Sequence, residues 1–484
     1  MQTSQPGAFD ARAARRTLAL VSVAIVCSVL SGTMTNIALP LIGRDLQVEP
    51  ARLGWIVTGF LLVLGVSTPF YGRLADRFGA RRLFVLGLGL FAFGSLLCAL
   101  APSFGWLMAG RVVQASGSGA IPGLGAALVS RAYPPERRGS AMGFIGAAVG
   151  SGAAIGPTLG GFISGTLGWQ ALFGVTVLVG LLAPFAWRMI PARSQRVREP
   201  LDLLGGVLLA LTVAGALLAA TEASRGSLGG SIVIAALGMA VAGGVSLVAR
   251  QRLAPMPFIP RALLADRRLV ALGMLSLTTM AANLPVFIAT PLMLTAFNGL
   301  SPVRIGLALL PEALVFTLLG PIAGRVVDRV GPRRPIRSGL AIMFVALAAL
   351  ATFGAGAPAW IVSLLIAVVS GGFAFVNSPL TTTISLLAPP ARLASALSMN
   401  SMLFFLGGAF GTALISAVLT ARAGAQNAIN PLYAGPAIAF SDAFLALLAL
   451  LIVAFALTRA LPAHRDRAAP MQDNEASEPS SLAA

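Results

Sequence analysis

Lysine is absent from this chain of 484 residues, histidine occurs once, cysteine occurs twice, and charged residues make up only 10% of the whole. Each scarcity excludes something. A soluble shell needs about a quarter of its residues charged, so a water-facing globule of this length is ruled out. Cys27 and Cys98 both fall inside apolar stretches, where they form neither a disulfide framework nor a metal-ligand spacing. The single histidine, His464, lies in a polar tail, which excludes histidine relays, haem and metal chemistry. No Walker-type phosphate loop occurs, so ATP hydrolysis in this chain is excluded as well.

What is abundant is apolar. Hydrophobic residues make up 57%, mean hydropathy is +0.88 and there are 54 glycines. Runs of about 20 residues, each long enough to cross a bilayer, recur at 17–41, 53–72, 83–101, 105–129, 139–165, 169–190, 203–221, 231–249, 270–296, 304–325, 337–355, 358–382, 393–418 and 440–460. Backbone groups in lipid must be satisfied within the segment, so each run reads as a helix, with Pro40, Pro157, Pro285, Pro291 and Pro379 as kinks or ends. The fold class is an all-α polytopic membrane protein with 14 transmembrane helices.

The net charge of +18 would suggest nucleic acid in a soluble protein, but here its placement answers the question. All 34 basic residues are arginine. With the N-terminus in the cytoplasm, 28 arginines fall on cytoplasmic connections and termini and 5 on the opposite side, with Arg111 inside a span. By the positive-inside rule both termini are cytoplasmic, and no nucleic-acid partner is needed to explain the charge. The arginine-only, alanine-rich composition suggests a GC-rich bacterium, so the expected membrane is a bacterial inner membrane. The expected organisation is an N-terminal six-helix bundle at 1–192, a linker with two extra helices at 193–268, a C-terminal six-helix bundle at 269–462 and a disordered tail at 463–484.

An internal repeat separates the halves. GRLADRFGARR from Gly72 to Arg82 and GRVVDRVGPRR from Gly324 to Arg334 match in register at seven positions. This makes Gly72, Arg73, Asp76, Arg77, Gly79 and Arg81, with Gly324, Asp328 and Arg329, the candidates for a joint. Glycines allow close helix approach, and an aspartate can accept bonds from arginines or from a facing helix N-terminus. The loop resembles the signature G-x-x-x-D-R-x-G-R/K-R/K of the major facilitator superfamily. That resemblance implies two six-helix bundles around a cavity open alternately to each side.

Further motifs narrow the likeness. The fifth span contains Gly152, Gly156, Pro157, Gly160 and Gly161 in GAAIGPTLGG, similar to the family's antiporter motif, which implies an export branch and a packing contact at the bundle interface. With fourteen spans, the chain resembles the drug:proton antiporter branch. The fourth span carries AGRVVQASGSGA, similar to R-x-x-Q-G-x-G-A with Ala115 in place of a glycine, and the likeness implies a proton-coupling role for Arg111. The first span reads LSGTMTNIALP, similar to L-D-x-T-x-x-N-x-A-L-P, but Ser31 stands where the acid belongs.

Without a histidine in the membrane, a proton carrier must be a carboxylate whose burial favours the protonated form. Asp76 and Asp328 belong to loops, Asp442 to a helix end and Glu222 to the outer end of the seventh span. Glu312, about nine residues or ~13 Å into the tenth span, is the one deep acid. Thr33, Asn36, Gln114, Asn283, Asn377 and Asn400 are candidate cavity residues, and Phe287, Phe297, Phe373, Phe375, Phe404 and Phe405 are candidates for an apolar wall. The expected function is a secondary exporter of hydrophobic or amphipathic small molecules, with no cofactor, a proton gradient as energy source and no obligate protein partner. A dedicated metabolite exporter or an uncoupled facilitator is the alternative, favoured by Ser31. An enzyme is not expected, because no catalytic cluster is visible.

Overall fold

The computed structural model describes residues 10–48, 50–191, 202–224, 230–354 and 356–461. The expected tail at 463–484, the boundary at 192/193 and the arginines Arg193, Arg196, Arg198 and Arg225 fall outside them. Among the described residues, fourteen helices are long and apolar enough to cross a membrane. They are α1 Ala11–Asp45, α2 Pro50–Phe78, α3 Ala80–Ala99, α4 Phe104–Ala132, α5 Arg138–Leu167, α6 Gln170–Met189 and α7 Leu203–Ser224, followed by α8 Ser231–Leu253, α9 Arg267–Asn298, α10 Pro302–Val330, α11 Arg333–Gly354, α12 Ala359–Leu387, α13 Leu393–Ala421 and α14 Ile438–Leu457.

Local chemistry sets several boundaries. The Asp10 carboxylate caps α1 by accepting the Arg12 and Ala13 N–H groups, Ser103 Oγ caps α4, and Asp266 caps α9. α4 relaxes at Gly119–Ala120 between two α-helical pieces, and α9 stops at Gly299 in the left-handed region. The sequence places helix ends at Pro40 and Pro291; instead α1 continues to Asp45 and α9 to Asn298 through both prolines. A proline inside a helix forfeits one backbone hydrogen bond, and a bundle of neighbouring helices tolerates the resulting bend.

α1 packs along α5, α3 along α4, α9 along α13 and α10 along α12, so the helices before and after α7–α8 form two groups. The groups meet where α5 lies against α10 and where α2 lies against α13. α7 sits in the second of these seams: Leu209, Val213 and Leu217 pack with Leu62 and Val66 of α2 and with Met402 and Leu406 of α13. α8 packs on α7 and turns Ile234, Val241 and Val245 outward, as a helix on the lipid-facing rim does. The connection back to α9 is clamped by Asp202. Its carboxylate accepts the Gly205 and Phe258 N–H groups and pairs with Arg250 at 3.0 Å. Burial opposes the charge on Asp202, but the Gly205 and Arg250 hydrogen bonds outweigh it and hold the carboxyl below the usual range.

At the ends opposite the arginine clusters, the ties run within a half. Trp169 Nε1 donates to Asp45 at 2.9 Å, joining the α6 entry to α1. Arg422 pairs with the buried Asp442 at 2.7 Å, and the same carboxylate accepts the Ile429 N–H.

Candidate functional site

The repeated loop builds two related joints between the halves. In the first, Gly72 of α2 lies so close to α13 that a Cβ there would meet the Ser398 Cβ at 2.6 Å, and one turn on Asp76, 1% exposed, accepts the Ser395 hydroxyl at 2.5 Å. In the second, a Cβ on Gly324 of α10 would meet the Gly139 carbonyl at 2.0 Å, and Asp328 accepts the N–H groups of Gly139 and Ser140 at 2.9 Å each. Both aspartates therefore sit at the first turn of a helix from the other half, where unsatisfied N–H groups and the helix dipole favour a negative charge.

Three further observations define the joints. Gly79 and Gly331, which close the two loops, have φ of 98° and 77°, a region that side chains rarely enter. Arg131 donates to the Pro390 carbonyl and Arg138 to the Ser385 carbonyl, both across the halves. The remaining loop arginines diverge: Arg73 is buried, Arg77 and Arg329 are exposed, and Arg81 lies 4.6 Å over Trp187 while donating to the Trp187 and Ile190 carbonyls.

The antiporter-motif glycines lie on α5, but they face a different neighbour from the one expected. A Cβ on Gly156 would meet the Thr33 hydroxyl at 1.8 Å, and Gly152 and Gly160 press on Val29 and Met34, so this face packs on α1 within the N-terminal half. Gly161 has open space with only Ile37 near, and α5 runs unbroken through Pro157. The contact between halves comes from the other face of α5. There Gly139, Gly143 and Gly150 approach Gly324, Gly320 and Phe316 of α10. A helix with glycines on two faces can be approached closely on both.

Arg111 is 1% exposed and enclosed within the N-terminal half. Its Nε donates to the Ile56 carbonyl at 3.3 Å, one Nη donates to Gln114 Oε1 at 2.7 Å, and the guanidinium stacks over Phe60 at 4.2 Å. Gln114 Nε2 in turn donates to Ser31 at 3.0 Å and to Ser95 at 2.8 Å. Ser31, at the position where the resemblance places an acid, thus completes the arginine's network as a neutral acceptor. Ser95 carries no motif and was not visible in advance. Thr33 spends its hydroxyl on the Val29 and Leu30 carbonyls of its own helix, while Asn36 is exposed.

Glu312 lies on α10. The lipid-type stripe of that helix is Leu307, Leu310, Leu314, Leu318 and Ile322, all 43–66% exposed. At 100° per residue Glu312 sits roughly 140° around from the middle of the stripe, on the inward side. Its side chain is half-buried, and Oε2 is enclosed with no hydrogen-bond partner among the described residues. Phe316, one turn away on the same side, stacks on Phe373 at 5.5 Å and 22°, followed by Phe404 and Phe405 at 6.3 and 5.7 Å. Phe405 packs against the cluster of Phe60, Leu64 and Ala115 in the other half. The chain of rings therefore runs from the helix bearing Glu312 to the cluster that holds the ring beneath Arg111. The spacing of Phe316 from Glu312 was the available signal for it. Phe297 pairs instead with Phe440 at 5.9 Å, and Phe287 and Phe375 stay outside the chain. Asn283 and Asn377 are half-buried, and Asn400 is buried with an unpaired Oδ1.

Comparison with known proteins agrees with this architecture. The family model described as Major Facilitator Superfamily matches residues 21–412 and 269–482. The chain is 28% identical over 403 residues to the riboflavin transporter RibZ of Clostridioides difficile, covering 82% of this chain and 87% of that protein. It is 30% identical over 414 residues to the tetracenomycin C resistance and export protein of Streptomyces glaucescens, covering 84% and 76%. The crystal structure of the human organic anion transporter MFSD10 superposes with a TM-score of 0.67 at 17% identity, over 92% of this chain and 99% of that one. With two six-helix groups, two inserted helices and a duplicated joint, the chain belongs to the major facilitator superfamily of membrane transporters.

Proposed function

We propose that this protein is a secondary active exporter of hydrophobic or amphipathic small molecules, working by alternating access and driven by inward proton flow across a bacterial inner membrane, with both termini in the cytoplasm. One observation supports the reading: Glu312, on the inward side of α10, keeps an enclosed carboxylate oxygen without a partner among the described residues, one turn from an aromatic chain that links the two halves. An enclosed carboxylate oxygen is a place where a proton can be taken up, and a cargo entering beside the rings would compete with it. Competition between proton and cargo for one region is sufficient for antiport.

In this reading the joints at Asp76 and Asp328 form the cytoplasmic gate, and the contacts of Asp76 to Ser395 and of Asp328 to Gly139 and Ser140 are its closed arrangement. Opening it breaks the helix-cap contacts to α13 and α5, and the halves rock about the α5–α10 and α2–α13 seams. Arg111 fixes Gln114, Ser31 and Ser95 as a rigid wall on the N-terminal side and contributes positive potential to the coupling centre. The energy source is the proton gradient alone. Lipid surrounds the helices, and neither a nucleic acid nor an obligate protein partner enters the cycle. The relatives named as a riboflavin transporter and as a tetracenomycin C resistance and export protein support a small-molecule cargo.

Ser31 supports a second reading. With no acid beside Arg111, a dedicated metabolite exporter or an uncoupled facilitator on the same fold would need only the wall and the joints. Purified protein in liposomes with an imposed pH gradient, screened against dyes, biocides and lipophilic antibiotics, separates the readings. Gradient-dependent export of several chemically unrelated compounds is expected. Movement of a single compound, indifferent to the gradient, would favour the second.

A further inference from the structure

A groove of about 420 Å³ opens on the outside of the C-terminal half, between α11 and α14. Leu340, Phe344 and Val345 of α11 and Ile452 and Phe455 of α14 wall it, and Arg337 and Arg459 stand at its arginine-rich end. Val345, Ile452 and Phe455 are 68%, 59% and 44% exposed, which fits a surface that lipid rather than protein covers. From Arg337 to Val345 the groove follows α11 for roughly 12 Å at 1.5 Å per residue. That is a substantial part of one leaflet.

The two arginines are placed to bind an anion. Arg337 Nε donates to Thr458 Oγ1 at 3.0 Å, and its guanidinium lies 5.8 Å from the Phe455 ring, which holds it at the groove mouth. Its two Nη groups have no partner among the described residues. Arg459 follows Thr458 directly, is exposed, and is likewise unpaired among the described residues. No acidic side chain lines the groove. An apolar trough spanning most of one leaflet, ending in two cations at the membrane interface, matches a molecule with acyl chains and a phosphate head. A free phosphate ion would leave the walls unused, and a zwitterionic lipid would bring its own cation to the arginines.

We infer that the groove between α11 and α14 is a binding site for an anionic phospholipid, with Arg337 and Arg459 on the phosphate and the α11 and α14 side chains along the acyl chains. The bound lipid would bridge α11 to α14 at the end where the C-terminal half meets the cytoplasmic interface. Juxtamembrane arginines contribute to binding anionic lipid additively, so losing both should weaken binding roughly tenfold to thirtyfold.

The test is native mass spectrometry of the full-length protein in detergent, titrated with phosphatidylglycerol or phosphatidylcholine. The wild type should retain phosphatidylglycerol and release phosphatidylcholine, and inorganic phosphate should not compete. Arg337→Gln with Arg459→Gln should lower retention by the factor above. Arg459→Gln alone, at an exposed side chain outside the packing, should lower it several-fold without loss of the folded protein, which guards against a misfolded double variant. Ala456→Trp, which fills the groove and keeps both charges, should also abolish retention. Equal retention of the two lipids, or undiminished retention in Arg459→Gln and Ala456→Trp, would overturn the assignment. So would a groove occupied by a second copy, seen as a dimer that the Ala456→Trp substitution dissociates.

Discussion

In the N-terminal half, Arg111 is spent on its neighbours: a carbonyl of α2, the Gln114 side chain and the face of Phe60 take up its charge, and Gln114 passes the network on to two serines. In the C-terminal half, Glu312 is left with an enclosed oxygen that nothing among the described residues satisfies. A satisfied buried polar network rigidifies, whereas an unsatisfied acid is a site where a proton's arrival changes the energy. The comparison teaches a division of labour. In the proposed cycle, with Ser31 in place of the acid that the resemblance expects, proton chemistry would fall to the second half and the first half would supply a fixed wall.

Substitutions that equalise the halves should break that division. Glu312→Gln mimics the protonated acid, and gradient-driven export should fall by two orders of magnitude or more, while downhill cargo exchange persists; parallel transport assays with and without a pH gradient check this. Arg111→Gln should lower both modes together, since it loosens the wall and leaves the acid in place. Loss of the driven mode alone in Arg111→Gln would erase the distinction between the two halves.

The next effect is on packing. Gly156→Leu drives a side chain into Thr33 of α1, so it should cost several kcal/mol and reduce the yield of folded protein in a thermal-unfolding assay. Overpacking at a contact inside one half should leave the joints intact in whatever protein survives. A folded, stable variant with a defective gate would show that this face of α5 meets the other half after all.

The joints themselves differ. Asp328 caps α5 through two backbone N–H groups, whereas Asp76 takes one serine hydroxyl and keeps a second oxygen without a hydrogen-bond partner among the described residues. The less regular second loop, with its Pro332, suggests that Asp328→Asn should be the milder change. The geometry gives the opposite order, because an amide retains only one good acceptor for two donors. Asp328→Asn should slow export roughly tenfold, in keeping with the loss of one of two charge-assisted bonds at the low end of about 1.5–3 kcal/mol, and Asp76→Asn should slow it several-fold. Transport rates normalised to membrane-inserted protein decide the order.

The smallest effect is expected at Ser31. Ser31→Asp returns an acid beside Gln114 and within the field of Arg111, and export should continue with little change in rate. Cross-linking or fluorescence reporters of the joints should be unaltered, since Ser31 contacts neither.

Most of the fold was legible because lipid leaves the backbone a single choice. Each apolar run had to be a helix, and the repeated loop revealed the duplication without any structure. The repeated loop also pointed to the two aspartates, for which arginines or a facing helix N-terminus were both open as partners; Asp328 meets the helix N-terminus. What the sequence hid is direction. A glycine carries no side chain to say which neighbour it meets, so Gly156 read as a contact between halves when it packs on α1. A proline in an apolar run reads as an end, yet α1 and α9 pass through Pro40 and Pro291. Arg111's partners, Ile56 and Phe60, lie on another helix and carry no motif, and Ser395 gave no sign that it would meet Asp76. Phe316 could have been found from its one-turn spacing to Glu312, but only after the lipid stripe of α10 had been recognised.

The central claim is that one carboxylate in the C-terminal half exchanges its proton for cargo. It is tested most directly by loading liposomes with a pH-sensitive dye, imposing a cargo gradient with no initial pH difference, and recording proton movement against cargo movement in the wild type and in Glu312→Gln. The account predicts that cargo flow drives protons the opposite way in the wild type, at a fixed ratio, and that Glu312→Gln carries cargo downhill with no proton movement. Undiminished proton movement in Glu312→Gln, or none in the wild type, would contradict it.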